Sequence, residues 1–396
     1  MSDMVTTSGA VMRSGSAQPF GWRRQPAIAF VAPPRRTTAG TPSSSRLDAD
    51  RLARATRPWR YVARHSKLGI TMGDPAGIGP EVVLRALAAP RAPRPAARQT
   101  HHAVTIFGNR RWLDDTCRHL RIAPRRVFAS HVTVVDCPEA HNASGRSARV
   151  RRGQCSASGG RVAYACLMRA IAAWRRGEID ALVTAPVSKA AVQAAGHWFP
   201  GHTEWLARRV GARHVEMLLV GGGLRVLPVT RHVSLRSVPQ MVTAPRLRAA
   251  IELCASSLRE QFGIEHPRIA VAGLNPHAGE FGRVGSEEQR ILHPVIRACQ
   301  RRHLRVQGPV SPDAVFLDAR AGRYDAVIVM YHDQGLIPLK LLARDEGVNV
   351  TLGLPFVRTA PDHGAAFDIA PHFCAHPGAM LAAIQLALRL AGQRVS

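Results

Sequence analysis

Three histidines in this 396-residue chain each follow directly on an apolar run: His232 in "VLPVTRHVSL", His277 in "VAGLNPHAGEFG" and His332 in "VIVMYHDQGL". One histidine after a strand is usually structural, but three brought to one edge of a sheet would make an imidazole set suited to a divalent cation. No H-E-x-x-H or other local metal signature is present, so the fold itself has to make them converge. Downstream, "LIPLKLLARDEGVNVTLGLPFVRTAPDHGAAFDIA" carries Lys340, Asn349, Arg358, Asp362, His363 and Asp368. Fixed cations there suit a phosphorylated or carboxylated substrate, which they recognise by charge and by fork geometry. Lys340 stands out because Lys67, Lys189 and Lys340 are the only lysines among 54 basic residues. For Arg358, in so arginine-rich a chain, ordinary surface charge is the competing explanation.

Three further motifs sit where apolar runs end. "ITMGDPAGIGPEV" places Gly77, Ile78 and Gly79 where backbone N–H groups could meet an anion, or where the chain simply turns tightly from strand to helix. "TAPVSKAAVQAAG" offers Ser188 as a helix cap ahead of Lys189. "FPGHTEWL" puts His202, Thr203 and Glu204 ahead of a helix, as structural residues or as ligands.

These groups need a scaffold, and the periodicity supplies one. Apolar runs at 68–72, 104–107, 181–184, 216–220, 225–230, 269–274, 326–331 and 349–352 predict strands, and helix-period stretches at 162–174, 246–262, 287–302 and 379–390 alternate with them. The pattern is that of an α/β protein with a largely parallel sheet, whose ligands collect beyond strand ends. Residues 1–65 differ, being rich in Ser, Pro, Gly and Arg, and are expected to form a disordered extension ahead of a folded unit over 66–396. No apolar run reaches the roughly 18 residues of a spanning helix, which argues against a membrane partner. Seven scattered cysteines without a C-x-x-C pair suggest neither a disulfide framework nor a thiolate zinc site, and fit a reducing cytoplasm. The net charge of +27 raises nucleic acid as a partner, yet the arginines are spread through every region, so no specific nucleic-acid binding is expected.

In order along the chain, "GDPAGIGPE", "TAPVSK", "GHTE", "LNPHAGE", "MYHDQGL", "GVNVTLGLPF" and "RT…DHG…DIA" resemble the 4-hydroxythreonine-4-phosphate dehydrogenase family of vitamin B6 biosynthesis, from about residue 67 to the end. The resemblance implies a two-lobed α/β fold like that of isocitrate and isopropylmalate dehydrogenases, with a central cleft and no standard Rossmann fingerprint. It implies NAD or NADP and one divalent metal ion per subunit, Zn, Mg or Co, held by His232, His277 and His332. His202, Thr203, Lys340, Asn349 and Arg358 would then contact the phosphorylated amino-acid substrate. Gly77, Ile78, Gly79, Asp362, His363 and Asp368 would lie along the dinucleotide, and Asp333, Lys189 or Asp313 would accept the proton. The family also implies a homodimer with its active site at the subunit interface, with His332 expected to reach a metal across it. The alternatives are a related dehydrogenase of another four-carbon phosphorylated sugar acid, phosphoerythronate or phosphothreonate, or of a cis-dihydrodiol. The family's usual T-H-x-P-L reads here Arg231-His232-Val233-Ser234-Leu235, and residues 1–65 have no counterpart in its pattern.

Overall fold

The computed structural model describes residues 66–90, 102–137 and 150–393. The extension expected over 1–65 lies outside the described residues. In chain order the strands are β1 (Lys67–Thr71), β2 (Ala103–Gly108), β3 (Val132–Asp136), β4 (Ala181–Thr184), β5 (Glu216–Gly221), β6 (Leu224–Pro228), β7 (Ile269–Ala272), β8 (Val306–Val310), β9 (Ala326–Val329), β10 (Val348–Leu352) and β11 (Val357–Pro361). Among the described residues they form one sheet in the order β3-β2-β1-β4-β11-β10-β5-β6-β9-β7-β8. All eight strands read from the sequence are present, with ends shifted by at most two residues; β3, β8 and β11 were not anticipated.

Strands β3, β2, β1, β4 and β11 pair in parallel, as do β6, β9, β7 and β8. Between these blocks β10 is antiparallel to both β11 and β5, and β5 is antiparallel to β6. Three reversals leave the two blocks running in opposite senses. The two-lobed α/β architecture is therefore realised as two parallel blocks within one continuous sheet.

The inner strands are buried on both faces, as a sheet covered by helices requires. Every residue of β4 (ALVT) and of β9 (AVIV) is buried. Helices Ala157–Arg175, Ala244–Glu260 and Gly378–Gln393 match three of the four expected amphipathic stretches. The fourth, expected over 287–302, divides into a π-helical turn, Glu288–Leu292, and an α-helix, His293–Arg301. A second core, including Val226, Val327, Val329, Leu336 and Leu339, seats the helix His332–Ala343 on one block of the sheet. Each such side chain contributes about 1.5–3 kcal/mol on burial, and together they fix where His332 begins its helix.

Candidate active site

Backbone clamps bring two of the three strand-end histidines together. Val229 N donates to Val329 O at 2.8 Å and Thr230 Oγ1 to Met330 O at 2.7 Å, locking the ends of β6 and β9 side by side. His232 and His332 follow at once, and their ring centroids stand 5.3 Å apart. Gln334 links the third strand end, accepting from Met330 N at 2.7 Å and donating to Gly273 O at 2.7 Å. His332 therefore lies beside His232 of its own chain. Its Nδ1 is 2.6 Å from Asp333 Oδ1, a carboxylate placed to orient the ring. Burial first, then the charges of Lys189 and His332, lower the pKa of His232, so its imidazole is neutral at pH 7.

His277 is exposed and stands on unusual backbone. His277, Ala278, Gly279, Glu280 and Phe281 have φ of 51°, 53°, 79°, 42° and 60°, a left-handed turn that costs L-residues about 1–2 kcal/mol apiece. Among the described residues no group of three His, Cys, Asp or Glu is placed to hold a metal ion, and His277 is not brought to the His232–His332 pair. Asp313 accepts from Ser311 Oγ at 2.6 Å; that bond first, and His277 among the lesser causes, keep its carboxyl low.

The second group centres on Arg358, which proves to be 2 % exposed and not a surface charge. Arg358 sits on β11 between β4 and β10. It donates from Nη1 to Thr351 Oγ1 at 3.0 Å and from Nη2 to Thr184 Oγ1 at 2.5 Å. Strand period explains the pairing: Arg358 is in register with Leu182, so Thr184 two residues on shares its face, and Asn349 shares the face of Thr351. Burial pulls the Arg358 pKa down to about 9, partly offset by Glu204, which still leaves a cation at pH 7 held away from water. His202 lies close by. Burial, Arg358 and Lys189 together push its pKa well down, leaving a neutral ring. His202 Nε2, Arg358 Nε and Asn349 Oδ1 are buried without a hydrogen-bond partner. The helix begins at His202 itself (His202–Val210), where Glu204 favours the first turn, and is not delayed past Glu204 as the sequence suggested. Thr203, in the same turn, is buried.

Lys340, two turns along the helix from His332, pairs with Asp362, its Nζ 3.5 Å from Oδ2. Burial raises the Asp362 pKa and Lys340 opposes the rise. Ser188 caps the helix Lys189–Ala194 as expected, accepting from Ala191 N at 3.2 Å. The Gly77–Gly79 loop and the 362–368 segment do meet: Ile78 N donates to Ala365 O at 2.9 Å, and Gly77 N to Asp74 O at 3.1 Å. Those two N–H groups are thus used within the protein. A Cβ on Gly77 would stand 2.5 Å from Ala365 O, so close backbone packing accounts for this glycine. His363 and Asp368 are exposed along the same segment. The residues not singled out from sequence are Thr184, Thr351 and Gln334. All three stood inside recognised motifs, and the strand period of two would have put the threonines on the Arg358 face once β11 was known to be a strand.

Residues 99–387 match the model of the pyridoxal phosphate biosynthetic protein PdxA. A 4-hydroxythreonine-4-phosphate dehydrogenase of Synechocystis is 42% identical over 344 residues, covering 83% of this chain and 96% of the relative. A D-threonate 4-phosphate dehydrogenase of Pectobacterium atrosepticum is 41% identical over 328 residues, covering 82% and 99%. The crystal structure of 4-hydroxythreonine-4-phosphate dehydrogenase from Klebsiella pneumoniae superposes with a TM-score of 0.71 at 39% identity, covering 83% of this chain and 99% of that one. With a family model spanning most of its length and near-complete relatives at this identity, the chain belongs to the PdxA family of pyridoxal phosphate biosynthetic proteins.

Proposed function

We propose that this chain oxidises the C3 hydroxyl of 4-phosphooxy-L-threonine by hydride transfer to NAD(P)⁺. The product, 2-amino-3-oxo-4-phosphooxybutanoate, then loses CO₂ to leave 3-amino-2-oxopropyl phosphate. Family membership carries the general class, an oxidoreductase working with NAD(P) and a divalent metal. The observation that supports the substrate is the buried guanidinium of Arg358, whose Nε, like the adjacent His202 Nε2, is without a partner. A desolvated cation beside a neutral imidazole is a costly arrangement that an incoming phosphate dianion relieves. Thr203 and Asn349 complete this end of the site.

The residues present fit a metal in part. His232 and His332 face each other, and Asp333 orients His332. The third ligand in this proposal is His277 of the partner subunit in a homodimer. Two features support the dimer: His277 stands exposed on its left-handed turn, and the surface beside the histidine pair is apolar. Leu235, Leu317, Ile337 and Leu341 are 68%, 72%, 60% and 75% exposed and line, with His232 and His332, a cavity of about 920 Å³. Clustered exposed aliphatics of this kind mark protein–protein contact. A divalent ion bound there would polarise the oxygen on C3, and an imidazole set suits zinc or cobalt better than magnesium. With Asp333 engaged by His332, Lys189 is the proposed proton acceptor in preference to Asp313, acting as the free amine, because it stands near both His202 and His232. The dinucleotide is assigned to the 362–368 segment, along Asp362, His363 and Asp368, with Gly77, Ile78 and Gly79 supporting it from behind.

A second substrate, D-threonate 4-phosphate, is kept in view because relatives bearing that name match equally well. It offers the same phosphate and C3 hydroxyl but a hydroxyl in place of the amine at C2. The kcat/KM for 4-phosphooxy-L-threonine should exceed that for D-threonate 4-phosphate by at least about tenfold, roughly 1.4 kcal/mol. The reverse order would move the chain to the second substrate, and turnover of neither would overturn the proposal.

Lys340 is assigned to the substrate phosphate, exchanging Asp362 for it on binding. Lys340→Met keeps the apolar stem and removes the charge, so kcat/KM should fall by about tenfold to a hundredfold, the worth of a charged hydrogen bond. Because the Lys340 side chain is 56% exposed and its ion pair screened, Tm should hardly move. Unaltered kinetics would remove Lys340 from the site.

A further inference from the structure

The left-handed turn that carries His277 is held from below by one buried acid. Glu288 is 1% exposed. Its Oε1 accepts from both Leu274 N and Asn275 N at 2.8 Å, and its Oε2 accepts from Asn275 Nδ2 at 2.9 Å. Those donors belong to the segment that leaves β7 and turns into His277. On the far side, a Cβ at Gly279 would stand 2.7 Å from Glu288 Oε2, so the carboxylate also backs the middle of the turn, where φ is 79°. Glu288 opens the π-helical turn Glu288–Leu292, a departure from α-helix often found at functional positions. Five consecutive residues in left-handed conformation do not persist unless their surroundings over-determine them. Here the surroundings are this carboxylate, the π-turn that aims it, and the neighbouring Glu287, whose Oε2 also accepts from Asn275 Nδ2 at 2.9 Å.

We propose that Glu288 is a positioning residue. Its carboxylate holds the His277–Phe281 turn in the one geometry that presents His277 outward, and so sets the metal affinity of the site that His277 completes. The inference rests on the assignment of His277 as a metal ligand under the proposed function. It predicts that Glu288 acts on metal binding and leaves the coordination chemistry itself unchanged. Phe281, 94% exposed at the end of the same turn, shows how far the turn stands clear of its own subunit.

The test is Co²⁺ titration of the dialysed full-length protein, followed by visible absorption, with Tm of the metal-free protein measured alongside. Glu288→Gln keeps the shape but sets an amide against Asn275 Nδ2, donor facing donor. Co²⁺ affinity should fall by about tenfold to a hundredfold, as for other residues that orient ligands, with the saturated spectrum unchanged. Activity should return at saturating Co²⁺. Asn275→Ala, which removes the Nδ2 bonds to Glu288 and Glu287 but leaves the Glu288 carboxylate and its two backbone bonds in place, should give a smaller loss of affinity with Tm retained. It decides the matter if Glu288→Gln does not fold. His277→Ala separates the two levels of the argument. If it binds Co²⁺ as the wild type does, the ligand assignment fails; if it loses Co²⁺ while Glu288→Gln, or in its absence Asn275→Ala, keeps wild-type affinity, the role of Glu288 is overturned.

Discussion

Mixing subunits that carry His232→Ala with subunits that carry His277→Ala should restore activity, whereas mixing His232→Ala with His332→Ala should not. Each variant alone is expected to be metal-poor and inactive, because affinity depends on assembling every ligand. His232 and His332 lie together in one chain, their rings 5.3 Å apart, and His277 stands apart from them on its exposed turn. In a His232/His277 heterodimer both lesions fall in one site and the other site is intact. In a His232/His332 heterodimer the sites are each built from one chain's pair, so each carries a lesion. Random association makes about half of the dimers mixed, so recovery should approach about one quarter of wild-type sites in the first mixture. Recovery in the second mixture alone would give His332 the role across the interface and return His277 to its own subunit. Full metal content in the His232→Ala protein would end the ligand assignment.

Arg358→Met should abolish most activity while leaving the fold as stable as before or more so. Truncating one member of a buried, hydrogen-bonded charge pair costs about 2–5 kcal/mol, here roughly thirtyfold to several thousandfold in kcat/KM. The free protein has the opposite interest. It carries a guanidinium that burial draws down to about 9, with Glu204 as a partial offset, and a well-packed apolar side chain removes that cost. Loss of activity together with a lower Tm would show Arg358 to be structural; unchanged kcat/KM would take the phosphate away from it. Arg358→Lys should not rescue, because one ammonium cannot span Thr184 and Thr351 as the guanidinium fork does.

The parts of the molecule that were readable from sequence are those where one local rule dominates. β4 and β9 are unbroken apolar runs, and Ser188 is a helix cap by type and position. The strands that escaped notice each break a local rule. β8 reads VQGPV, with glycine and proline where a strand should have neither; it lies at the sheet edge, where such residues are tolerated. β11 reads VRTAP, and an arginine followed by a proline looks like a loop. As a central strand it can bury the arginine because Thr351 on β10 and Thr184, far away in sequence on β4, accept from two of the guanidinium nitrogens. The histidines were legible as a set, but the pairing of His232 with His332 within one chain was not, since it depends on which strand ends the clamps at Thr230 and Gln334 draw together. The glycine loop at 77–79 was ambiguous in sequence, and the Ile78–Ala365 hydrogen bond shows its packing role.

The place of β11 also governs how the chain is made. Arg358 is near the end of the sequence, yet its strand lies in the interior of the sheet, between β4, formed some 170 residues earlier, and β10. A ribosome that has delivered everything up to β10 has still left a gap at the centre, with the β4 edge open and its backbone groups unpaired. Closing the sheet waits for the last tenth or so of synthesis, and such long-range pairing is slow and exposed to mispairing. The residue proposed to grip the phosphate is delivered by the strand that completes the fold, so a nascent or truncated chain has neither a finished core nor a substrate site.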